Sequence, residues 1–401
     1  MKYIILVMDG AGDNHLKELG GKTPLQAAEK ENIDRLARDG VCGLFRTIPV
    51  NFSTGSAVAN LSILGYDPLK YFRGRGVLEA AAMGVSLDST DVALRCNTIC
   101  ITADGRIKNH SAGHISSEES MLLIEEANRR LGNRDVVFHP GVSYRHLLVL
   151  KGRYSPDVEC YPPHDYINSM YEKMLVKPMN EAAKETAYLL NKLIINSAGF
   201  LENHPVNLLR QRRGMDKGNM LWPWSPGRKP AMETFQERFG ITGAAISAVD
   251  LVKGLGIYAG FEVIGVEGAT GLYDTNYEGK ADGCIRALGD HDFVYVHVEA
   301  PDEASHEGNA GLKVRCIEDF DRRLVGNILK GIDIRNTSIA VLPDHYTPVA
   351  TKAHSSEPVP FLIYNPSVEP DAVQRFDEDS CAGGRYGLVE DGTLINRLLG
   401  K

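Results

Sequence analysis

Short apolar runs that stop on aspartate and histidine constrain this chain more than any other feature of its 401 residues. The run "YIILVM" (3–8) meets Asp9. "FVYVHV" (293–298) is followed by Asp302 and His306, and "TSIAVLP" (337–343) ends on Asp344 and His345. A fourth run, "VPFLIY" (359–364), has His354 in the loop before it. Runs this short and apolar on both faces read as strands of a buried parallel sheet. Parallel strands need crossover connections, and amphipathic segments supply them. In "TPLQAAEKENIDRLARDG" (23–40), Thr23 is expected as the N-cap, Pro24 at the first helical position and Gly40 as the C-cap. "GLKVRCIEDFDRRLVGNILKG" (311–331) reads as one long helix. The fold class is therefore α/β, a mostly parallel sheet flanked by helices.

The middle of the chain is different. Between about 90 and 235 lie shorter strands, "VALRCNTICIT" and "RHLLVLKG", a helix from about 179 to 196, and both tryptophans in "MLWPWSPGRKP". Strand-end residues flank this stretch on both sides, and the chain is longer than one core usually holds. A smaller α/β domain inserted into the first is expected, with 1–85 and 236–401 as one domain and 86–235 as the other. A net charge of -8 argues against a general nucleic-acid binder but not against an anionic substrate held by a local cationic cluster. The apolar start "MKYIILVMDG" is too short for a membrane span or a signal peptide, so a cytoplasmic protein with no membrane partner is expected. Seven cysteines in mostly apolar contexts suit reduced core thiols, and Cys96 and Cys100 lack a second pair to complete a zinc site. "GLGIYAG" (254–260) fits a dinucleotide fingerprint in its letters, yet the preceding "VDLVK" reads as helix where that motif needs a strand.

In open parallel sheets, ligands bind beyond the carboxyl ends of the strands. Asp9, Asp302 and Asp344 with His306, His345 and His354 supply three carboxylates and three imidazoles there, a donor set for manganese, zinc or cobalt. Taken singly, each has a commoner explanation. An aspartate after a strand caps a helix or makes a turn, Asp302 and His306 are one helical turn apart, and a loop histidine is usually solvated. Together they are hard to assign to unrelated accidents. Ser56, in "TGSAVANLSILGYDP" (54–68), opens a helix-like stretch whose first N–H groups can hold a phosphate. It is either an N-cap or a nucleophile activated by a metal.

The motifs "VMDGAGD", "TGSAVANLSILGYDP", "PGVSYRHLLVL", "APDEASHEGN" and "LPDHYTPVATKAHSSEPVPFLIY" carry a resemblance over nearly the whole chain. It resembles the cofactor-independent phosphoglycerate mutases of the alkaline phosphatase superfamily, in their archaeal-type branch. The resemblance implies an alkaline-phosphatase-like core with the inserted domain. It implies an isomerase of glycolysis and gluconeogenesis that interconverts 2- and 3-phosphoglycerate through a phosphoserine, without 2,3-bisphosphoglycerate. Ser56 would be the catalytic nucleophile. One divalent ion would be held by Asp9, Ser56, Asp344 and His345, and a second by Asp302, His306 and His354, with manganese expected and zinc, cobalt or magnesium as alternatives. Lys253, Arg145, Arg95 and His110 would contact the substrate. Ala57 stands where an acidic residue often follows the serine, and His110 and His114 stand where many relatives have arginine. The implied task of the inserted domain is to close over the small-molecule substrate and exclude water from the phosphoserine. A homo-oligomer is left open. The rivals are a metal-dependent phosphohydrolase of the same superfamily, with the same ligands and serine, and a non-catalytic metal-stabilised binding protein.

Overall fold

The strand Lys2–Met8 lies within an eight-stranded sheet in the computed structural model, which describes residues 1–390 and 392–401. Phe293–Val298 and Thr337–Pro343 flank it in parallel, in a register that sets Met8 beside both Val298 and Pro343. All three strands therefore reach the same sheet edge. Gly243–Ile246 and Glu262–Val263 continue the parallel pairing beyond Phe293–Val298. On the other side the expectation of a parallel strand for "VPFLIY" fails. Val359–Tyr364 runs antiparallel to Thr337–Pro343 and to Val41–Phe45. No helix separates Pro343 from Val359, so the chain has no crossover and can only turn back beside the strand it has just left.

Two helix expectations need correction. Thr23 does cap, accepting from Gln26 N–H at 3.1 Å while Gln26 Oε1 accepts from Thr23 N–H, but the helix Pro24–Ala27 stops after one turn and Glu31–Arg38 follows as a second. Asp39, not Gly40, takes its C-cap; Gly40 instead gives room to the Ile363 carbonyl, which a Cβ would approach to 2.7 Å. The 311–331 segment is helical but changes pitch: Ala310–Asp319, a wider π-turn over Phe320–Val325, then Gly326–Gly331. The wide turn carries Asp321, whose carboxylate accepts from Ile33 N–H at 2.7 Å and Asn32 Nδ2 at 2.9 Å. It thereby satisfies the open start of the Glu31–Arg38 helix.

By contacts the chain divides into two units, Met1–Phe72 with Met232–Lys401, and Arg73–Ala231. The second begins at Arg73 rather than 86 because the helix Arg75–Ala82 packs on the strands Val92–Ile101 and Met220–Arg228. It ends before Phe235, whose ring meets those of Phe239, Phe261 and Phe293 in the first unit. Its sheet is antiparallel, with Val92–Ile101 pairing Ile107–Asn109, Arg145–Leu150 and Met220–Arg228. Met220–Arg228 contains Pro223 and Pro226, tolerable because among the described strands it pairs only with Val92–Ile101. The helix expected over 179–196 forms at Lys184–Leu201. Gly254 and Gly256 lie inside the helix Asp250–Tyr258, which leaves no strand-to-helix turn for a dinucleotide. The seven cysteines are unbridged. Among the described residues no helix is long and apolar enough to cross a membrane.

One buried acid gives the first unit a pH dependence. Glu378 accepts from Thr23 Oγ–H at 2.6 Å and Asp13 N–H at 3.1 Å, and burial pushes its carboxyl up to about 7 from 4.5. The folded protein therefore holds a proton that the unfolded chain has released between those values. The stability from this group is full below 4.5 and is lost as pH rises through 7. Glu378→Gln is expected to flatten that decline and to raise stability at about pH 8 by up to ~3 kcal/mol. Urea denaturation of both proteins between about pH 5 and 8 checks it, and parallel curves would refute it.

Candidate active and metal site

At the edge where the three parallel strands end, Asp9 follows Met8 and Asp344 follows Pro343, both buried. Asp302 is on the next helix, Ala300–Glu307. Gly10, at φ 61°, allows this crowding. Its N–H donates to Asp344 Oδ1 at 3.0 Å, and a Cβ would strike the Asp302 carboxylate. Ser56 is the first residue of the helix Ser56–Ile63, and the N-cap is Gly55 at φ 145°. The capping reading of Ser56 is thereby removed: its hydroxyl is directed to His345 Nε2, 3.2 Å away.

The imidazoles fall into two neighbouring groups. His345 Nε2 lies 3.4 Å from Asp9 Oδ1 and 3.6 Å from Asp344 Oδ2. His306 Nε2 lies 3.1 Å from Asp302 Oδ2 and 3.0 Å from His354 Nε2, and His354 Nε2 is 3.6 Å from the same Asp302 oxygen. The His345 and His354 rings are 4.2 Å apart, so the groups touch. The structure thus brings Asp9, Ser56, Asp302, His306, Asp344, His345 and His354 together. Two sets of potential ligand atoms lie within 4.8 Å of one another: Asp302, His345 and His354, and Asp9, His297 and Asp344. His345 sits between the two groups, close to both.

The electrostatics fit a cation. Burial pushes the Asp9 carboxyl well above its ordinary range, and Asp344, Asp302 and Glu299 add to the push. Burial also works to raise Asp302, but hydrogen bonds from His306 and His354 outweigh it and hold that carboxyl well below the usual range. The bond to Asp302 raises His306 to about 9. Asp9 Oδ1 is buried with no hydrogen-bond partner. Buried carboxylates that repel each other and keep an open oxygen are suited to a divalent ion.

Several supporting residues were not foreseen. Asn60 donates to Asp344 Oδ2 at 2.9 Å and to the Ser56 carbonyl at 2.7 Å, and accepts from the Tyr295 hydroxyl. Thr347 Oγ donates to Asp302 Oδ1 at 2.5 Å and lies 3.1 Å from His345 Nδ1. Lys313, wholly buried, donates to Asp13 Oδ2 and to the carbonyls of Gly12 and Thr347. His297 Nε2 lies 3.0 Å from Asp9 Oδ2. The alternation in "FVYVHV" carries a signal for two of these. Val294, Val296 and Val298 join the core cluster, which leaves Tyr295 and His297 on the opposite face.

Of the expected substrate contacts, Arg95, Arg145 and His110 gather in the second unit. Arg95 lies over the Trp224 ring at 4.6 Å and pairs with Glu79 at 3.0 Å. Tyr144 meets both His110 and Arg145, and His164, not foreseen, lies between His110 and Trp224. Burial lowers Arg95 to about 10 despite Glu79. Lys253 is in the first unit, on the helix Asp250–Tyr258, paired with Asp250 at 3.0 Å.

The family profile of 2,3-bisphosphoglycerate-independent phosphoglycerate mutase matches residues 37–207. A protein of that name from Methanosarcina barkeri is 49% identical over 402 residues, covering 100% of this chain and 99% of the relative. The chain belongs to the 2,3-bisphosphoglycerate-independent phosphoglycerate mutase family. Solved structures support the mutase fold. A protein from Pyrococcus horikoshii superposes with a TM-score of 0.85 at 31% identity, covering 100% of this chain and 96% of its own. The cofactor-independent phosphoglycerate mutase from Thermoplasma acidophilum gives 0.70 at 30%, covering 100% and 99%.

Proposed function

We propose that the chain is an isomerase that interconverts 2-phosphoglycerate and 3-phosphoglycerate without 2,3-bisphosphoglycerate, with Ser56 carrying the phosphoryl group between the two hydroxyls. The observation that carries this reading is the Ser56 hydroxyl itself, which caps nothing and faces His345 at the start of a helix, where Asp9, Asp302, Asp344, His306 and His354 also gather. Near-full-length identity to proteins named for this activity supports it. In this reading Asp9, Ser56, Asp344 and His345 hold one divalent ion, and Asp302, His306 and His354 hold another. Manganese is the first choice, before zinc, cobalt or magnesium. When bound, the ions lower the pKa of the serine hydroxyl and offset charge on the phosphoryl oxygens.

The chain's own groups do the rest. The first turn of the Ser56–Ile63 helix offers N–H groups to phosphoryl oxygens. Asn60 fixes Ser56 and Asp344 relative to each other through two hydrogen bonds. In the second unit the exposed Arg145 side chain would contact the glycerate carboxylate or phosphate, with His110 against the same Tyr144 ring. Arg95, committed to Glu79 and Trp224, supports that surface, and Lys253 adds a cation on the first unit. A diffusible metabolic substrate agrees with the cytoplasmic location expected from the sequence.

Incubation of manganese-loaded protein with 3-phosphoglycerate tests the reading. It should yield 2-phosphoglycerate with little free phosphate, lose activity on chelation and regain it when manganese is restored. Free phosphate without 2-phosphoglycerate would overturn it in favour of the phosphohydrolase.

A further inference from the structure

We infer that His297 is a ligand of the ion held at Asp9 and Asp344, a donor beyond those named above; the inference rests on the two-ion reading. His297 is fully buried near the end of Phe293–Val298, one residue short of the edge at which the site is built. Its Nε2 lies 3.0 Å from Asp9 Oδ2, yet that nitrogen has no aligned hydrogen-bond partner. Close approach without alignment is what two donors of one ion show. Atoms at roughly 2.0–2.2 Å from a common metal stand about 3 Å apart while each directs its lone pair at the metal and not at the other. Asp9, Asp344 and His297 also satisfy the wider condition, each with a ligand atom within 4.8 Å of the others.

The other ring nitrogen has a partner that is compatible with the tautomer this role needs. His297 Nδ1 is 3.3 Å from Ser247 Oγ, and that oxygen already accepts from Val249 N–H at 3.0 Å. A second lone pair on Ser247 can take the Nδ1 proton, and in that tautomer Nε2 is unprotonated toward Asp9, as metal ligation requires. The backbone is held too, since the buried Lys280 donates to the His297 carbonyl at 3.1 Å. Asp9 is then divided between two imidazoles, Oδ1 toward His345 at 3.4 Å and Oδ2 toward His297 at 3.0 Å. A neutral nitrogen where another oxygen could stand favours manganese, zinc or cobalt over magnesium. His297 thereby becomes a determinant of metal choice.

Wild-type protein labelled with 15N in its histidine rings and saturated with zinc gives a direct count. Four imidazole Nε2 resonances are expected at the metal-bound position, those of His297, His306, His345 and His354, with the His297 signal assigned by its loss in His297→Asn. Three shifted resonances with His297 unmoved would overturn this inference and leave the two-ion reading standing, with His297 as a neighbour of Asp9 only. No shifted resonance would overturn both. Calorimetric titration of the metal-free His297→Ala variant should show manganese bound at least about 10-fold more weakly at one of two sites, with magnesium changed less. Equal manganese affinity in a variant with wild-type circular dichroism would overturn the inference.

Discussion

Ser56→Ala is expected to lower isomerisation of 3-phosphoglycerate on the order of 10³-fold or more, while stability stays within about 0.5 kcal/mol of wild type. The two halves of this result have separate causes. The rate falls because no other hydroxyl occupies the Ser56 position, 3.2 Å from His345 Nε2. Stability stays because Gly55, not Ser56, is the N-cap and the Ser56 side chain makes no cap hydrogen bond, so alanine at the first helical position removes nothing the helix uses. The variant lacks one donor to the ion proposed at Asp9, Asp344 and His345, so the assay is run with manganese in excess to keep that site filled. A wild-type sample quenched during turnover should carry phosphate on Ser56 by mass spectrometry, and the variant none. A variant that keeps more than a tenth of the activity would remove Ser56 as the phosphoryl carrier. Loss of activity with metal and fold retained would exclude a non-catalytic binding protein.

How much of this was legible in the sequence depends on how local each signal is. Asp9 and the Asp344–His345 pair could be read because an apolar run that stops on polar donors is a local pattern, and parallel pairing then brings such stops to one edge. The antiparallel course of Val359–Tyr364 was not read, although the absence of a helix between Pro343 and Val359 was visible. His297 escaped because a histidine inside an apolar strand reads as core, and only the odd-position face of "FVYVHV" distinguishes it. Asp321 escaped because the pattern shows a continuous helix and does not show the π-turn that aims this carboxylate at Ile33. Asn60 carries no local signal, since its partners Tyr295 and Asp344 are distant in the chain. The cations of the second unit were named one by one, but their common surface, built on Trp224, Tyr144 and His164, exists only once the antiparallel sheet is formed.

Lys313 is the extreme case, and its substitution should have the largest effect on stability. In "GLKVRCIEDF" it reads as one of several charges on a solvated helix face. In the fold it is wholly buried, with Nζ 2.9 Å from Asp13 Oδ2, 3.1 Å from the Gly12 carbonyl and 3.0 Å from the Thr347 carbonyl. Three donors meet three acceptors, so the ammonium is fully satisfied. Lys313→Met leaves the Asp13 carboxylate buried without its counter-charge, which is expected to cost about 3–5 kcal/mol. Adding Asp13→Asn should recover only part of that loss: the trapped charge is gone, but the single amide oxygen can accept from Val349 N–H or from Asn14 N–H and not from both. The effect should reach the metals as well. Lys313 clips the loop after the first strand to Thr347, and Thr347 bonds Asp302 and adjoins His345. Urea denaturation of the single and double variants, with calorimetric metal titration of each, measures both consequences. A single variant within about 1 kcal/mol of wild type would show that the pair contributes little, and weakened metal binding without loss of stability would separate the clip from the fold.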